Sequence, residues 1–453
     1  MFRRLGLGLL VIAMAGCSAV EAEQTARPTP AAPLSSSSAA PGEAGATPSP
    51  EGKPSGEATG AGDAAAEDGG TGAATGDVAA TLARMSVEEK VGQLFMPVVY
   101  GSRADAAHQE NSARFGAGSP IQVIKKYRPG GVIMFPWAGN VSDAWQIAAL
   151  TTGLRAASRV PLMIGVDQEN GTVSPLSAVV TKLPGAMAIG ATGDPANARA
   201  AARLTGTELR ALGITMDFAP VADVNINPRN PVIGPRAYGS DPGKVATMVG
   251  AAVDGFHAAG IASTAKHFPG HGDTSTDSHT GLPVISHTKA QWRKLDAPPF
   301  REAIAHGVDA IMSAHVVMPK LDPSGDPATL SRTILTGLLR DELGFDGVIS
   351  TDALNMAGVR EKYGDAEVAV RAVLAGADVL LMPPDMPKAY GAVLAAVKSG
   401  RISAARLDAS VTRILRLKAK RGMFGKVTTD PAAVRSAAHL SAARRLAREA
   451  NLP

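Results

Sequence analysis

The sequence predicts an α/β fold, because eight short apolar runs alternate with stretches of helical periodicity between residues 78 and 425. The runs lack the polar alternation of half-exposed strands, which is typical of parallel strands buried on both faces. Eight such units over roughly 350 residues fit a (β/α)8 barrel of the TIM type. The alternative is an open doubly wound sheet, but no Gly-x-Gly-x-x-Gly follows the first run.

A helix is expected before every expected strand except the second. The first helix begins at Ser86, a capping residue followed by Glu88 and Glu89 in the first turn. The expected strands are Gly92–Val99, Gly131–Phe135, Leu162–Asp167, Ile214–Pro220, Ile261–Lys266, Ala310–Val316, Gly347–Asp352 and Asp378–Pro383. The later expected helices are Ser142–Ala157, Asn197–Leu212, Lys244–Ala259, Phe300–His306, Arg332–Glu342, Glu367–Ala375, Lys388–Lys398 and Ala404–Lys420. We expect residues 78–425 to form a single barrel domain and residues 426–453 a helical tail.

The N-terminus has the layout of a secretory signal, with Arg3 and Arg4 before an apolar run. Met14–Cys17 resembles a bacterial lipobox, which implies lipidation of Cys17, the sole cysteine. We expect residues 1–16 to be a lipoprotein signal peptide. Residues 17–77 are rich in Ala, Gly, Pro and Ser, which predicts a disordered, lipid-anchored linker. These features predict a lipoprotein on the outer face of the cell membrane.

The overall composition argues against a nucleic-acid partner. The net charge is +4 over 453 residues, and the sequence pI of about 9.1 comes from a basic excess spread along the chain. No stripe of Lys and Arg with interleaved aromatic residues is present in the sequence. We expect a monomer whose partners are its substrate and, through the lipid, the membrane.

The segment Lys266–His279 concentrates three His, two Asp and one Lys around Pro269 and Gly270. The Pro and Gly predict a loop after a strand. Asp277 and His279 are two residues apart, so in an extended segment both side chains point the same way. Asp277 would then orient the imidazole of His279 as a proton donor and acceptor.

Two other readings of this loop are possible. The His-x3-His spacing of His267 and His271, with Asp273 nearby, suggests a metal site, but Pro269 disfavours the helix that would present both ligands. A solvated surface loop is the other. Serine-hydrolase chemistry is disfavoured because the sequence has no Gly-x-Ser-x-Gly motif.

Asp352 ends the apolar run Gly347–Asp352. At the carboxyl end of a barrel strand, a carboxylate is in the position of active-site groups and can act as a nucleophile or a metal ligand. The structural alternative is a helix N-cap. Asp167, Asp223, Lys266, His267 and His315 also lie at or just past the ends of apolar runs, which predicts one polar site at the mouth of the barrel.

Several motifs together resemble glycoside hydrolase family 3, in its β-N-acetylglucosaminidase branch. The segments that carry the resemblance are Lys266–His279 with Gly281–Pro283, Ser350–Met356, Asp167–Glu169, Leu183–Met187, Phe218–Asp223 and Asn230–Arg236. The resemblance covers about residues 78–424 and implies a (β/α)8 barrel. It also implies a retaining exo-β-N-acetylglucosaminidase that acts on peptidoglycan fragments or chitin-type oligosaccharides and requires no cofactor or metal.

The resemblance implies specific roles for seven residues. Asp352 would be the nucleophile, and His279 would be the general acid and base, oriented by Asp277. A His–Asp pair would thus replace the second carboxylate of most retaining glycosidases. The sugar-binding residues would be Asp167, Arg236, Lys266 and His267.

The sequence departs from the family pattern after Glu169. Pro175 stands about where the family has a sugar-contacting Arg, within the run Asn170–Leu176. Loss of a bidentate cation is expected to weaken sugar binding or change its preference. Two further readings stay open: a β-glucosidase of the same family and a non-catalytic cell-wall-binding lipoprotein. Water, phosphate or another sugar remains open as the final acceptor.

Overall fold

The computed structural model describes residues 78–278, 281–360 and 362–452. Three predictions therefore lie outside the described residues: the signal peptide (residues 1–16), the linker with Cys17, and the acid/base residue His279. In the part of the chain that is described, no helix is both long and apolar enough to cross a membrane.

The structure is an α/β fold around a curled parallel β-sheet. The strands are β1 (Phe95–Met96), β2 (Gly131–Ile133), β3 (Met163–Val166), β4 (Met216–Asp217), β5 (Ala262–Phe268), β6 (Ala310–Ser313), β7 (Val348–Ser350) and β8 (Leu380–Leu381). Strands β2 to β7 pair in chain order, β1 pairs with β8, and every pairing is parallel. Single parallel bridges join Val98 to Ile133 and Ser350 to Val379.

Helices lie between and after the strands. They are α1 (Val87–Gln93), α2 (Gln109–Phe115), α3 (Pro120–Tyr127), α4 (Ala144–Ala157), α5 (Ala186–Ala191), α6 (Pro195–Ala211), α7 (Pro242–Ala258), α8 (Lys289–Leu295), α9 (Ala297–Ala305), α10 (Ala357–Arg360), α11 (Asp365–Ala375), α12 (Met386–Lys398), α13 (Ala404–Lys420) and α14 (Ala437–Glu449). The segment Thr333–Glu342 is a π-helix.

The predicted start of α1 is confirmed. Ser86 accepts a hydrogen bond from the Glu89 amide, and the Glu89 carboxylate accepts one from the Ser86 amide. This reciprocal pair satisfies two amides that the first turn leaves without helical partners. The prediction of a strand from Gly92 was wrong, because α1 continues to Gln93. The buried side chain of Gln93 donates to Arg128 O and accepts from Lys418 Nζ at 2.7 Å.

The strands are buried throughout, as their apolar composition predicts. Several are shorter than expected, with β1, β4 and β8 reduced to two residues each. Helix α13 has the predicted bounds. The predicted tail helix is present as α14, which is tied to α6 through a 2.8 Å contact between His439 Nδ1 and Glu208 Oε1.

Candidate active site

A cavity of about 780 Å³ lies at the carboxyl ends of the strands. Its lining comes from segments that follow β2, β3, β4, β5 and β7, and from β6 and β8 themselves. This position agrees with the active-site end of parallel α/β barrels. The predicted site residues in its lining are Asp167, Arg236, Lys266, His267 and Asp352.

Lys266 is the most buried charged group of the cavity. It lies within β5, and its side chain is 2 % exposed. Its ammonium is 2.6 Å from Asp167 Oδ1 and 2.6 Å from Glu169 Oε1. Burial acts to lower the pKa of Lys266, but the two carboxylates raise it above its ordinary value, so the ammonium stays charged.

Arg236 is paired with the same Glu169 carboxylate. It ends a short 3-10 turn, and its guanidinium donates to both Glu169 oxygens at 2.8 Å. Burial acts to raise the pKa of Glu169, yet Lys266 and Arg236 lower it to about 2. Glu169 therefore forms ion pairs with both cations. No role was predicted for Glu169, although its spacing of two residues from Asp167 would place both carboxylates on one face of an extended segment.

His267 is oriented by Asp223. Its Nδ1 lies 2.7 Å from Asp223 Oδ2, and its Nε2 lies 3.3 Å from an Arg236 nitrogen that can donate to it. Burial and the charge of Arg236 hold the pKa of His267 well below its usual value. The ring is therefore neutral, with its proton on Nδ1. Asp223 also accepts from the backbone amides of His267 and His271, a supporting role that the sequence analysis did not assign.

Asp352 follows β7 by two residues and faces the same cavity. Burial acts to raise the pKa of its carboxyl, but His315, His267, the Ala353 amide and Lys266 lower it below the ordinary value. The Ala353 amide donates to Asp352 Oδ1 at 2.7 Å. Asp352 is therefore ionised near neutral pH, as a carboxylate nucleophile needs to be. It does not cap α10, which begins only at Ala357.

The loop after β5 is anchored along its first half. His271 contacts Thr274 Oγ1 through Nδ1 and Ser278 Oγ through Nε2, both at 2.9 Å. Asp273 lies 3.0 Å from His287 Nε2. This Pro- and Gly-containing turn is buried and hydrogen-bonded. Asp277 is half-buried, and its partner in the predicted dyad, His279, lies outside the described residues.

The arrangement gives no support to the His-x3-His metal reading within the described residues. The ring nitrogens of His271 contact hydroxyl groups, and Nδ1 of His267 contacts Asp223. Across residues 78–278, 281–360 and 362–452, no cluster of three or more His, Cys, Asp or Glu side chains has a metal-binding arrangement.

Comparison with known proteins identifies the family. Residues 86–417 match the model of the glycosyl hydrolase family 3 N-terminal domain, so the chain belongs to this family. A β-hexosaminidase A of Pseudoalteromonas piscicida is 41% identical over 329 residues, which cover 66% of this chain and 54% of the relative. A β-N-acetylglucosaminidase/β-glucosidase of Cellulomonas fimi is 34% identical over 76% of this chain and 60% of the relative.

A solved structure extends this similarity to the fold. It is a family 3 β-N-acetylglucosaminidase from Paenibacillus sp. str. FPU-7, with a TM-score of 0.74 and 42% identity. The similarity covers 81% of this chain and 69% of that one. This chain spans between about half and two thirds of the length of the two curated relatives.

Proposed function

We propose that the protein is an exo-acting retaining β-N-acetylhexosaminidase. The observation that carries the proposal is an ionised, partly buried Asp352 in one cavity with the paired cations Lys266 and Arg236. The substrate class is a glycan with a terminal, non-reducing β-linked N-acetylhexosamine, in peptidoglycan fragments or chitin-type oligosaccharides. The names of the relatives support this class.

The mechanism begins with attack of an Asp352 oxygen on the anomeric carbon. The glycosidic bond breaks as His279, oriented by Asp277, gives its proton to the leaving oxygen. A covalent glycosyl–enzyme intermediate results. In the second step His279 takes a proton from water, whose oxygen displaces Asp352. Two inversions return the original anomeric configuration.

The buried residues prepare the site for this chemistry. The carboxylates of Asp167 and Glu169 would accept hydrogen bonds from sugar hydroxyls. Beside them, Lys266 and Arg236 would donate hydrogen bonds to the sugar, and the neutral ring of His267 would contact it. Their mutual pairing fixes their positions before substrate binds, which reduces the ordering that binding has to supply. The neutral state of His267 also avoids adding a third cation to this cluster.

The proposal also covers the closure of the barrel, the oligomeric state and the membrane anchor. The eight strands form a closed (β/α)8 barrel, supported by the β1–β8 pairing and the Val98–Ile133 and Ser350–Val379 bridges. The protein is a monomer that is anchored through Cys17 to the outer face of the cell membrane. The linker of residues 17–77 would lift the catalytic domain away from the lipid.

The test is a parallel assay of an aryl β-N-acetylglucosaminide and an aryl β-glucoside. We expect turnover of the N-acetylglucosaminide and its loss in Asp352→Asn. Preference for the glucoside would identify a β-glucosidase, which the name of the Cellulomonas fimi relative also includes. No turnover of either substrate would support a non-catalytic binding lipoprotein. Phosphate added to the assay distinguishes phosphorolysis from hydrolysis by the release of a sugar phosphate.

A further inference from the structure

A stacked aromatic pair borders the candidate active-site cavity. The rings of Phe135 and Trp137 are 5.1 Å apart between centroids, and their planes are inclined by 18°. Both residues line the cavity that contains Asp352. Trp137 is 59% exposed, whereas Trp292 of the same chain is fully buried. The indole therefore lies at the solvent-exposed rim of the cavity.

The aromatic pair is fixed by the backbone around it. The short 3-10 turn Pro136–Ala138 carries Trp137. The fully buried amide of Asn140 accepts from the Phe135 amide and donates to Val99 O, both at 2.8 Å. The Gly101 amide donates to Ala138 O at 2.9 Å. A large apolar side chain on such a fixed turn is preorganised for a ligand, because little conformational freedom is lost on contact.

The surroundings of the pair offer no unpaired cation among the described residues. The Lys and Arg side chains of the described cavity lining are Lys266 and Arg236, and both are paired with carboxylates. In the adjoining segment 100–114, Arg103 pairs with Asp105 and Arg114 pairs with Glu110. Pro175, in the position where the family pattern has an Arg, also lines the cavity.

We propose that Trp137, supported by Phe135, binds the leaving part of the substrate, and that this part is an uncharged pyranose ring. The inference rests on the proposed function and specifies its substrate class. A β-linked pyranose has C–H groups on its faces, which pack against the electron-rich face of an indole. Among the described residues near Trp137, the Lys and Arg side chains are already paired with carboxylates, so an aglycone carboxylate would have to compete for them to replace its lost hydration. The site thus favours neutral, chitin-type oligosaccharides over fragments with an acidic second sugar.

The experiment compares Trp137→Ala with Trp145→Ala. Trp145 is 68% exposed on α4 and does not line the cavity, so its variant is the matched control. The substrates are N,N′-diacetylchitobiose and β-N-acetylglucosaminyl fluoride, whose leaving group is too small to reach the rim. We expect Trp137→Ala to lower kcat/KM at least about tenfold on the disaccharide and less than about twofold on the fluoride, since one lost stacking contact has effects of this order. Equal losses on both substrates, or no loss on either, would overturn the inference.

A second comparison tests the charge of the aglycone. The wild-type protein receives the disaccharide N-acetylglucosaminyl-β-1,4-N-acetylmuramic acid alongside N,N′-diacetylchitobiose. We expect kcat/KM to be higher on the neutral disaccharide, by about tenfold. A preference for the acidic disaccharide would refute the neutral-ring assignment.

A failure of the proposed glycosidase function can be told apart from a failure of the inference about Trp137. If the wild-type protein turns over neither the fluoride nor the disaccharide, it is not a glycosidase for these sugars. The contact with Trp137 is then tested by titrating N,N′,N″-triacetylchitotriose into the wild-type protein and Trp137→Ala in isothermal titration calorimetry. Saturable binding that is lost only in Trp137→Ala supports the inference. Equal binding by both proteins, or none by either, contradicts it.

Discussion

The ammonium of Lys266 lies 2.6 Å from Oδ1 of Asp167, and the two side chains are 2% and 19% exposed at the base of the cavity. Glu169 joins the pair through a second 2.6 Å contact to the same nitrogen. Burial and the neighbouring Glu169 and Asp352 hold the pKa of Asp167 above its ordinary value, against the lowering by Lys266. Lys266 thus keeps together carboxylates that would otherwise repel one another.

Removal of the Lys266 charge is expected to damage both stability and activity. Lys266→Met leaves Asp167 and Glu169 buried without their shared cation, which costs about 3–5 kcal/mol when a buried pair is broken from one side. We expect this loss in urea unfolding, together with a fall in kcat/KM of at least about 100-fold. Lys289→Met is the control, because the half-exposed Lys289–Glu342 pair contributes at most about 1 kcal/mol. A stable Lys266→Met variant with wild-type turnover would show that the cluster is dispensable.

The depressed pKa of Glu169 predicts a dependence of stability on acid pH. Its folded-state pKa is about 2, below the ordinary value of 4.5, so its charge contributes stability above the unfolded pKa. This contribution is lost as the pH falls from about 4.5 to about 2. We expect Glu169→Gln to be less stable than wild type at pH 7 and to lose less stability over this pH range, measured by urea unfolding.

Glu342 supplies the control for this pH effect. Its pKa is also lowered to about 2, by Arg293 and Lys289, but it lies at the surface. Surface pairs are screened by salt, whereas buried pairs are screened much less. In 1 M salt we expect the Glu342→Gln difference to vanish and the Glu169→Gln difference to remain. If salt abolished both differences, the Glu169 cluster would be more hydrated than its burial indicates.

Apolar runs were sufficient to predict the α/β class, the parallel pairing and the order of the elements. A strand that is buried on both faces consists of consecutive apolar residues, which can be recognised in the sequence, as at Met163–Val166. The ends of elements were harder to predict. Gln93 reads equally well as the start of a strand or the end of a helix, and its buried contact with Lys418, 325 residues away, is a tertiary contact that local pattern does not reveal.

For the candidate site, the positions of several residues could be predicted from the sequence, but their hydrogen-bond partners could not. Positions at strand ends brought Asp167, Lys266 and Asp352 to one cavity, because parallel strands share one carboxyl edge. The pairing of Arg236 with Glu169 was not predicted, since the two residues are 67 positions apart and lie on loops. Likewise, Asp223 was recognised as a polar strand end, but the pattern gave no indication that it orients His267. Spacing identifies which residues meet but not which polar atoms bind each other.

Pro175 offers a gain-of-function prediction. It lines the cavity at the position where the family pattern has an Arg. Pro175→Arg adds a guanidinium that can donate two hydrogen bonds to sugar hydroxyls, so we expect tighter binding of N-acetylglucosamine by about tenfold in isothermal titration calorimetry. Ser177→Arg, two residues further along the same turn and outside the cavity lining, controls for added surface charge. Unchanged affinity in Pro175→Arg would mean that position 175 has no part in sugar recognition.

The role of His279 is tested by the basicity of the leaving group. A general acid matters most when the departing oxygen is a poor leaving group, because proton transfer then carries much of the barrier. We therefore expect His279→Gly to reduce turnover of N,N′-diacetylchitobiose by about 10²- to 10⁴-fold and to spare an activated dinitrophenyl glycoside in its first, burst-phase step. Asp277→Asn should lie between wild type and His279→Gly, since Asp277 acts only through the imidazole. Equal losses on both substrates would assign His279 a binding or structural role and leave the proton donor to be found elsewhere in the cavity.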